Sequence, residues 1–264
     1  MMTEIDRNKI YGFLPGCSLS SYNPESVRKT IEYLNKKLLN FAAILKCCGK
    51  PTRDLGQYGL FSERFSSLEK DIKDIGVNNV ILACPNCMKT FQKESKIPII
   101  SLWEILPQIG LPEEVKGKGK TSNVVFTIHD SCAVRYEKKV QEGIRWILDE
   151  LGYSYVESKY SGENTKCCGF GGMVNTANPD LAAEVLRRRI KTLGNYPVVC
   201  YCASCRSALM QGGVQAWHIL DLIWGPIVTK ESKAPEDILE NTKNVWNNRA
   251  KCRDDMEIIL PARR

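Results

Sequence analysis

Long apolar runs are absent from this chain, and none approaches the roughly 20 residues that a membrane-spanning helix needs. Residues 1–10 are polar and charged, unlike a secretory signal. A cytoplasmic location is expected from both absences. There a reducing thiol pool disfavours disulfides, so cysteines are expected as thiolates rather than bridges. A clustered basic stripe with interleaved aromatics is also missing: the net charge of +7 is spread along the chain, apart from Arg187-Arg188-Arg189 and the lysines at 116, 118 and 120. That argues for no nucleic-acid partner and for a solvated surface with a weak preference for an acidic partner. Neither a Gly-x-Gly-x-x-Gly fingerprint nor a Cys-x-x-Cys-x-x-Cys-x-x-x-Cys-Pro run occurs, which excludes hydride capture from a nicotinamide and a ferredoxin-type electron wire.

Cysteine, by contrast, is abundant, with twelve in 264 residues. Ten of the twelve fall into one pattern written twice: a lone Cys, then Cys-Cys-Gly, then Cys-x-x-Cys. The first copy is Cys17, Cys47-Cys48-Gly49 and Cys84-x-x-Cys87; the second is Cys132, Cys167-Cys168-Gly169 and Cys202-x-x-Cys205. Between the lone Cys and the pair lie 29 and 34 residues, and between the pair and Cys-x-x-Cys lie 35 and 33, at an offset of 115 to 120. Such an ordered recurrence is a duplication. Five thiolates drawn from distant parts of a chain make a soft, electron-rich pocket of the kind that iron-sulfur clusters require. Structural zinc needs only four of the five, and a metal-free redox dithiol is the remaining alternative. Cys-x-x-Cys brings two sulfurs to one site from a single turn, and Pro85 or Ala203 after the first Cys suits a helix start whose N–H groups face negative sulfur. An adjacent Cys-Cys pair reaches two irons more naturally than one, and the Gly that follows permits positive φ and close backbone approach.

With enough length for two domains of roughly 100 to 150 residues, each half reads as strands alternating with helices. Residues 10–14, 41–45, 80–83 and 97–100 are apolar runs expected as strands, and Asn23-Pro24-Glu25 has the chemistry of a helix start. Residues 103–109 are expected as a short helix, and Leu60, Phe65, Leu68, Ile72 and Ile75 as another, closed by Gly76. In the second half 124–128 and 198–201 are expected strands and 140–151 a helix, with Trp103-Glu104-Ile105-Leu106 aligning with Trp217-His218-Ile219-Leu220. The fold class is therefore α/β, two pseudo-symmetric duplicated domains with largely parallel sheets and the cysteines at the carboxyl ends of strands. The expected boundaries are 1–113 and 122–228 for the two domains, with a linker over 112–123, and 229–264 for a charged extension, loosely ordered or docking. Ile238, Val245 and Trp246 mark an amphipathic helix there.

These residues carry a family resemblance. Both copies resemble the CCG cysteine-rich domain, found twice in the B subunit of heterodisulfide reductase and in iron-sulfur subunits of lactate and glycolate oxidation systems. The resemblance spans about 10–225, although the spacings of 29 and 33 are slightly shorter than the family's usual ones. It implies two non-cubane [4Fe-4S] clusters, one on Cys17, Cys47, Cys48, Cys84 and Cys87 and one on Cys132, Cys167, Cys168, Cys202 and Cys205. It also implies an oxidoreductase subunit that reduces a small-molecule disulfide or related acceptor with electrons from a ferredoxin-like or flavin-containing subunit. The alternative is a non-catalytic electron-transfer subunit of a flavin-dependent hydroxy-acid oxidoreductase complex. The second copy has His129-Asp130 where the first has Leu14-Pro15, and Gly169-Phe170-Gly171-Gly172 as a small surround. It is the expected substrate-facing site, with His129 as a proton donor or as a hydrogen-bonding residue that shapes the loop. Cys200 is expected in the core, Cys252 as a free thiol in the tail, and His218 as a structural residue on a helix.

Overall fold

The computed structural model describes residues 5, 6, 9–237 and 242–254. Two compact units form, Met1–Ile109 with Asn241–Arg264, and Gly110–Glu240. In the first, the strands β1 (Tyr11–Leu14), β2 (Phe41–Ala43), β3 (Asn79–Leu82) and β4 (Ile99–Ser101) pair in parallel in the order β2-β1-β3-β4. In the second, β5 (Val125–His129), β6 (Ser154–Glu157), β7 (Val198–Cys200) and β8 (Ala216–His218) repeat it as β6-β5-β7-β8. β1, β3 and β7 are buried at every residue, which is why, Asn79 at the start of β3 apart, they read as apolar runs, as strands covered on both faces do.

Helices return the chain between strands. The first unit holds α1 (Cys17–Tyr22), α2 (Pro24–Lys37), α3 (Lys50–Asp54), α4 (Tyr58–Asp74), α5 (Pro85–Glu94) and α6 (Leu102–Ile109). The second holds α7 (Lys138–Leu151), α8 (Val174–Ala177), α9 (Pro179–Ile190), α10 (Ala203–Gln211) and α11 (Ile219–Trp224). At the head of α2, Asn23 accepts from the Ser26 N–H at 2.9 Å with Pro24 in the first turn, a cap worth about 1 kcal/mol. α7 buries Val140, Ile144, Ile147, Leu148 and Leu151 at helical spacing, each contributing roughly 1.5–3 kcal/mol. Among the described residues no helix is long and apolar enough to cross a membrane.

Three sequence expectations change. Residues 112–123 are not a bare linker. They fold into two 3₁₀ turns, Glu113–Val115 and Lys118–Thr121, fastened to the second unit by Lys118 Nζ on the Ile223 and Gly225 carbonyls, 2.8 Å each. Trp217 and His218 lie in β8, not on a helix. By strand register His218 corresponds to Ser101, because His218 pairs with Cys200 as Ser101 pairs with Leu82. Each then starts a helix with an acid three residues on, Asp221 accepting from the His218 N–H at 2.8 Å and Glu104 from the Ser101 N–H at 3.3 Å. The tryptophans are therefore not equivalent. Finally, residues 242–254 form the helix α12 (Thr242–Asp254), which packs on α1 and α2 of the first unit. Ile238 lies outside the described residues.

Candidate metal centres

In an order such as β2-β1-β3-β4 the chain leaves β1 in one direction and later returns on its other side, so a crevice opens beyond the carboxyl ends of β1 and β3. Both motif loops emerge there. Gly16, at φ +89°, follows β1, and a Cβ on it would lie 2.5 Å from Cys84 Cβ and 3.4 Å from Cys84 Sγ. Only glycine lets the Cys17 loop press against the Cys-x-x-Cys turn. Cys84 caps α5, with Pro85 in the first turn. The sulfurs of Cys47 and Cys17 are 3.9 Å apart, those of Cys87 and Cys48 are 3.3 Å apart, and the Gly49 N–H donates to Cys47 Sγ at 3.4 Å. Hydrogen bonds from Cys17 and Cys48, with the Gly49 N–H and the Arg249 charge behind them, pull the Cys47 thiol down to about 2. Its neighbours are driven the other way. Cys48 rises to about 12 through its bond to Cys47, and Cys17 and Cys87 rise through their sulfur neighbours and burial.

The second unit rebuilds the set. Cys132 opens the 3₁₀ turn Cys132–Val134 after β5, and Cys202 caps α10 after β7. The sulfurs of Cys168 and Cys205 are 3.4 Å apart, and the Gly169 N–H donates to Cys167 Sγ at 3.3 Å. Gly169 sits at φ +86°, and a Cβ there would be 2.6 Å from the Ala182 carbonyl oxygen. The charge pattern recurs: Cys132 and Cys168 hydrogen-bond to Cys167 and pull it to about 2, while Cys168 rises to about 12 and Cys132 rises further, each chiefly through Cys167. In both sets, hydrogen bonds among the sulfurs, then burial and repulsion, oppose ionisation of three thiols, Cys17, Cys48 and Cys87 in the first and Cys132, Cys168 and Cys205 in the second. A bound cationic centre removes that opposition, so the donor sets fit an iron-sulfur group. All twelve cysteines lie among the described residues and none is in a disulfide.

Around the second set stands a buried polar frame. Buried Asp130 holds Arg145 by two bonds of 2.7 Å, accepts the Gly162 N–H at 2.8 Å, and takes the Thr165 hydroxyl on its carbonyl at 2.7 Å. It thereby ties the loop before Cys132 to the loop before Cys167. His129 is buried, its Nδ1 accepts from Arg189 Nε at 2.9 Å, and its Nε2 has no hydrogen-bond partner. The ligand atoms of His129, Cys168 and Cys205 lie within 4.8 Å of one another. Burial, then the Arg189 charge, lowers the imidazole to about 3. With Nδ1 occupied as an acceptor, Nε2 is the nitrogen left to carry the ring proton.

The surroundings of the two sets differ. Beside Cys17, a small cavity is lined also by Ser20, Lys46, Arg249 and Cys252, the last two supplied by α12. Cys252, expected as a free tail thiol, is buried there. Beside Cys168, the turn Gly171–Met173 has nothing near a would-be Cβ on Gly171 and leaves Gly172 exposed. Cys200 is fully buried with Val198, Leu209 and Ala216. In the sequence Arg189 passes for one of three surface arginines. Its spacing from Ala182 and Leu186 on the inward face of α9 was the available signal.

Comparison with known proteins agrees with this construction. The chain is 26% identical over 195 residues to the D subunit of the dihydromethanophenazine:CoB–CoM heterodisulfide reductase of Methanosarcina barkeri, covering 68% of this chain and 47% of that one. An uncharacterized iron-sulfur protein of Methanococcus maripaludis is 27% identical over 184 residues, 67% of this chain and 35% of its own. The B subunit of the fumarate reductase (CoM/CoB) of Methanothermobacter marburgensis is 24% identical over 193 residues, 67% of this chain and 38% of its own. The chain thus spans about half or less of the length of these relatives. The cysteine-rich domain family, CCG, matches twice, over residues 11–92 and 126–210, so the thiol sets described above are those of its two copies and the chain belongs to the CCG cysteine-rich domain family.

Proposed function

We propose that this chain is an iron-sulfur oxidoreductase subunit that holds two [4Fe-4S] clusters of non-cubane type. Cys17, Cys47, Cys48, Cys84 and Cys87 hold one; Cys132, Cys167, Cys168, Cys202 and Cys205 hold the other. The observation that carries this reading is the two gatherings of five thiols, each at the carboxyl rim of its own parallel sheet. The relatives' names, heterodisulfide reductase and fumarate reductase subunits among them, support a redox role within a larger complex.

Such clusters supply one-electron transfers when bound. The residues do the rest. Gly16, Gly49 and Gly169 let backbone approach sulfur, the α5 and α10 amino termini face the Cys84 and Cys202 sulfurs, and Asp130 fixes the loops of the second set. The second site, with its open Gly171–Met173 turn, faces a small-molecule disulfide or related acceptor. The first, flanked by α12, relays electrons from a ferredoxin-like or flavin-containing subunit. Anaerobically prepared protein is expected to hold about eight irons with matching sulfide, and stoichiometric zinc without sulfide refutes the reading. A pure electron-relay role is the second reading, favoured by the similarity to a fumarate reductase component. A thiol-induced change in the EPR signal of the second cluster separates the two, since a relay shows none.

A further inference from the structure

β5 carries a polar side chain where its counterpart in the first sheet is apolar. His129 pairs with Cys200 across to β7, and the matching pair in the first unit is Leu14 with Leu82. A buried histidine costs free energy unless its polar atoms are used, and only one of the two ring nitrogens has a partner. Arg189 Nε donates to Nδ1 at 2.9 Å. An arginine is always a donor, so Nδ1 is an acceptor and the ring proton resides on Nε2. That nitrogen is buried and unpartnered, on a ring one of whose nitrogens lies within 4.8 Å of the sulfurs of Cys168 and Cys205.

Iron ligation by His129 is disfavoured by the same contact. A ligating imidazole usually donates its other N–H to an acceptor, whereas here the other nitrogen receives a hydrogen bond. Arg189 is itself only 1% exposed. Its remaining bonds go to uncharged acceptors, the Tyr160 carbonyl at 3.0 Å, Thr192 Oγ1 at 3.2 Å and Ser158 Oγ at 3.2 Å. A buried cation without a hydrogen-bonded carboxylate calls for negative charge nearby, which Asp130 and the sulfurs of the second set supply.

We propose that His129 is a fixed N–H···S hydrogen-bond donor to the second set, locked in that tautomer by Arg189, and that the pair makes the second cluster easier to reduce than it is with an apolar residue at position 129. Both contributions have the same sign. Reduction adds negative charge to the cluster, and a donor aimed at sulfur together with a buried guanidinium stabilises the reduced form more than the oxidised one. His129 is thus a positioning and tuning residue rather than a proton source. This inference rests on the cluster reading above.

The test uses the full chain, loaded anaerobically, with ¹⁵N-labelled histidine and His218→Asn to leave one labelled ring. Pulsed EPR of the reduced second cluster, after exchange into D₂O, is expected to reveal one exchangeable deuteron and weak nitrogen coupling. A strong coupling from a directly bound nitrogen, or no deuteron at all, overturns the proposal. In redox titrations, His129→Leu, which copies the first unit, is expected to shift the second midpoint negative. At the wild-type midpoint its reduced-to-oxidised ratio should fall about tenfold, with the first cluster unmoved; an unmoved second midpoint also overturns the proposal. If His129→Leu does not load, the labelled protein, which retains His129, still decides. Absence of iron and sulfide from the wild type sinks the cluster reading, whereas a loaded protein without the deuteron sinks this inference alone.

Discussion

Asp130 and His218 are buried polar residues with all their work inside the second unit, and each gives a measurable consequence. Burial would raise the Asp130 carboxyl, but Arg145, by hydrogen bonds and charge, and the Gly162 N–H hold it below its ordinary value. Asp130→Asn removes the buried carboxylate and leaves Arg145 only the more exposed Glu157, a loss of roughly 1–3 kcal/mol. Denaturant unfolding should register that loss, along with weaker iron retention in the second set only. His218 caps α11 through Nδ1 on the Leu220 N–H at 3.2 Å. Burial first, then the Arg206 charge, lowers its imidazole from 6.5 to about 3. Between those values the unfolded chain holds a proton that the folded chain lacks, so stability falls as pH falls below 6.5. Going from pH 7.5 to 5.5 should cost about 1.4 kcal/mol from this residue. His218→Asn keeps a capping oxygen and removes the titration, so its unfolding free energy should fall less over that interval; an equal fall refutes the assignment.

The loops that deliver sulfur depend on glycines that sequence marks only in part. Gly49 and Gly169 follow the cysteine pairs visibly, whereas nothing local marks Gly16, which is held to glycine by Cys84, 68 residues away. Gly16→Ala forces a Cβ against Cys84 in a backbone conformation that L residues rarely adopt. Iron content is expected to fall to about half as the first set fails and the second stays; full iron content would contradict the packing. Gly169→Ala meets the Ala182 carbonyl and should do the reverse. Strands followed the same division between local and distant causes. β1 and β7, and β3 after Asn79, are apolar and legible, but β6 is Ser154-Tyr155-Val156-Glu157 at a sheet edge, with its end residues exposed. Only pairing with β5 makes it a strand.

At the scale of the whole chain, the sequence passes through the first unit, builds the second, and returns to the first with α12. Asn248 Nδ2 donates to the Ser21 carbonyl at 2.9 Å, and Arg249 and Cys252 line the cavity beside Cys17. Removing residues 242–264 should therefore speed chelator bleaching of the first cluster severalfold without changing the second. Equal bleaching of both in the shortened chain would show that α12 does not protect the first site. Arg249→Gln should in addition shift the first midpoint negative, since the guanidinium favours thiolate at Cys47.

What the sequence by itself determined is the duplication, the parallel α/β class and the gathering of ten cysteines, because all three rest on local patterns. Apolar runs end where motifs begin, and one motif order occurs twice. Tertiary structure alone decided which polar residues face the sulfurs. Arg189 reads as one of three adjacent arginines, and only the placement of α9 against β5 turns it inward onto His129. The same holds for α12, whose return to the first unit is a contact across more than 220 residues of chain. Hydrophobic period carries the facing of a helix toward a core, but it carries no information on which distant partner waits there.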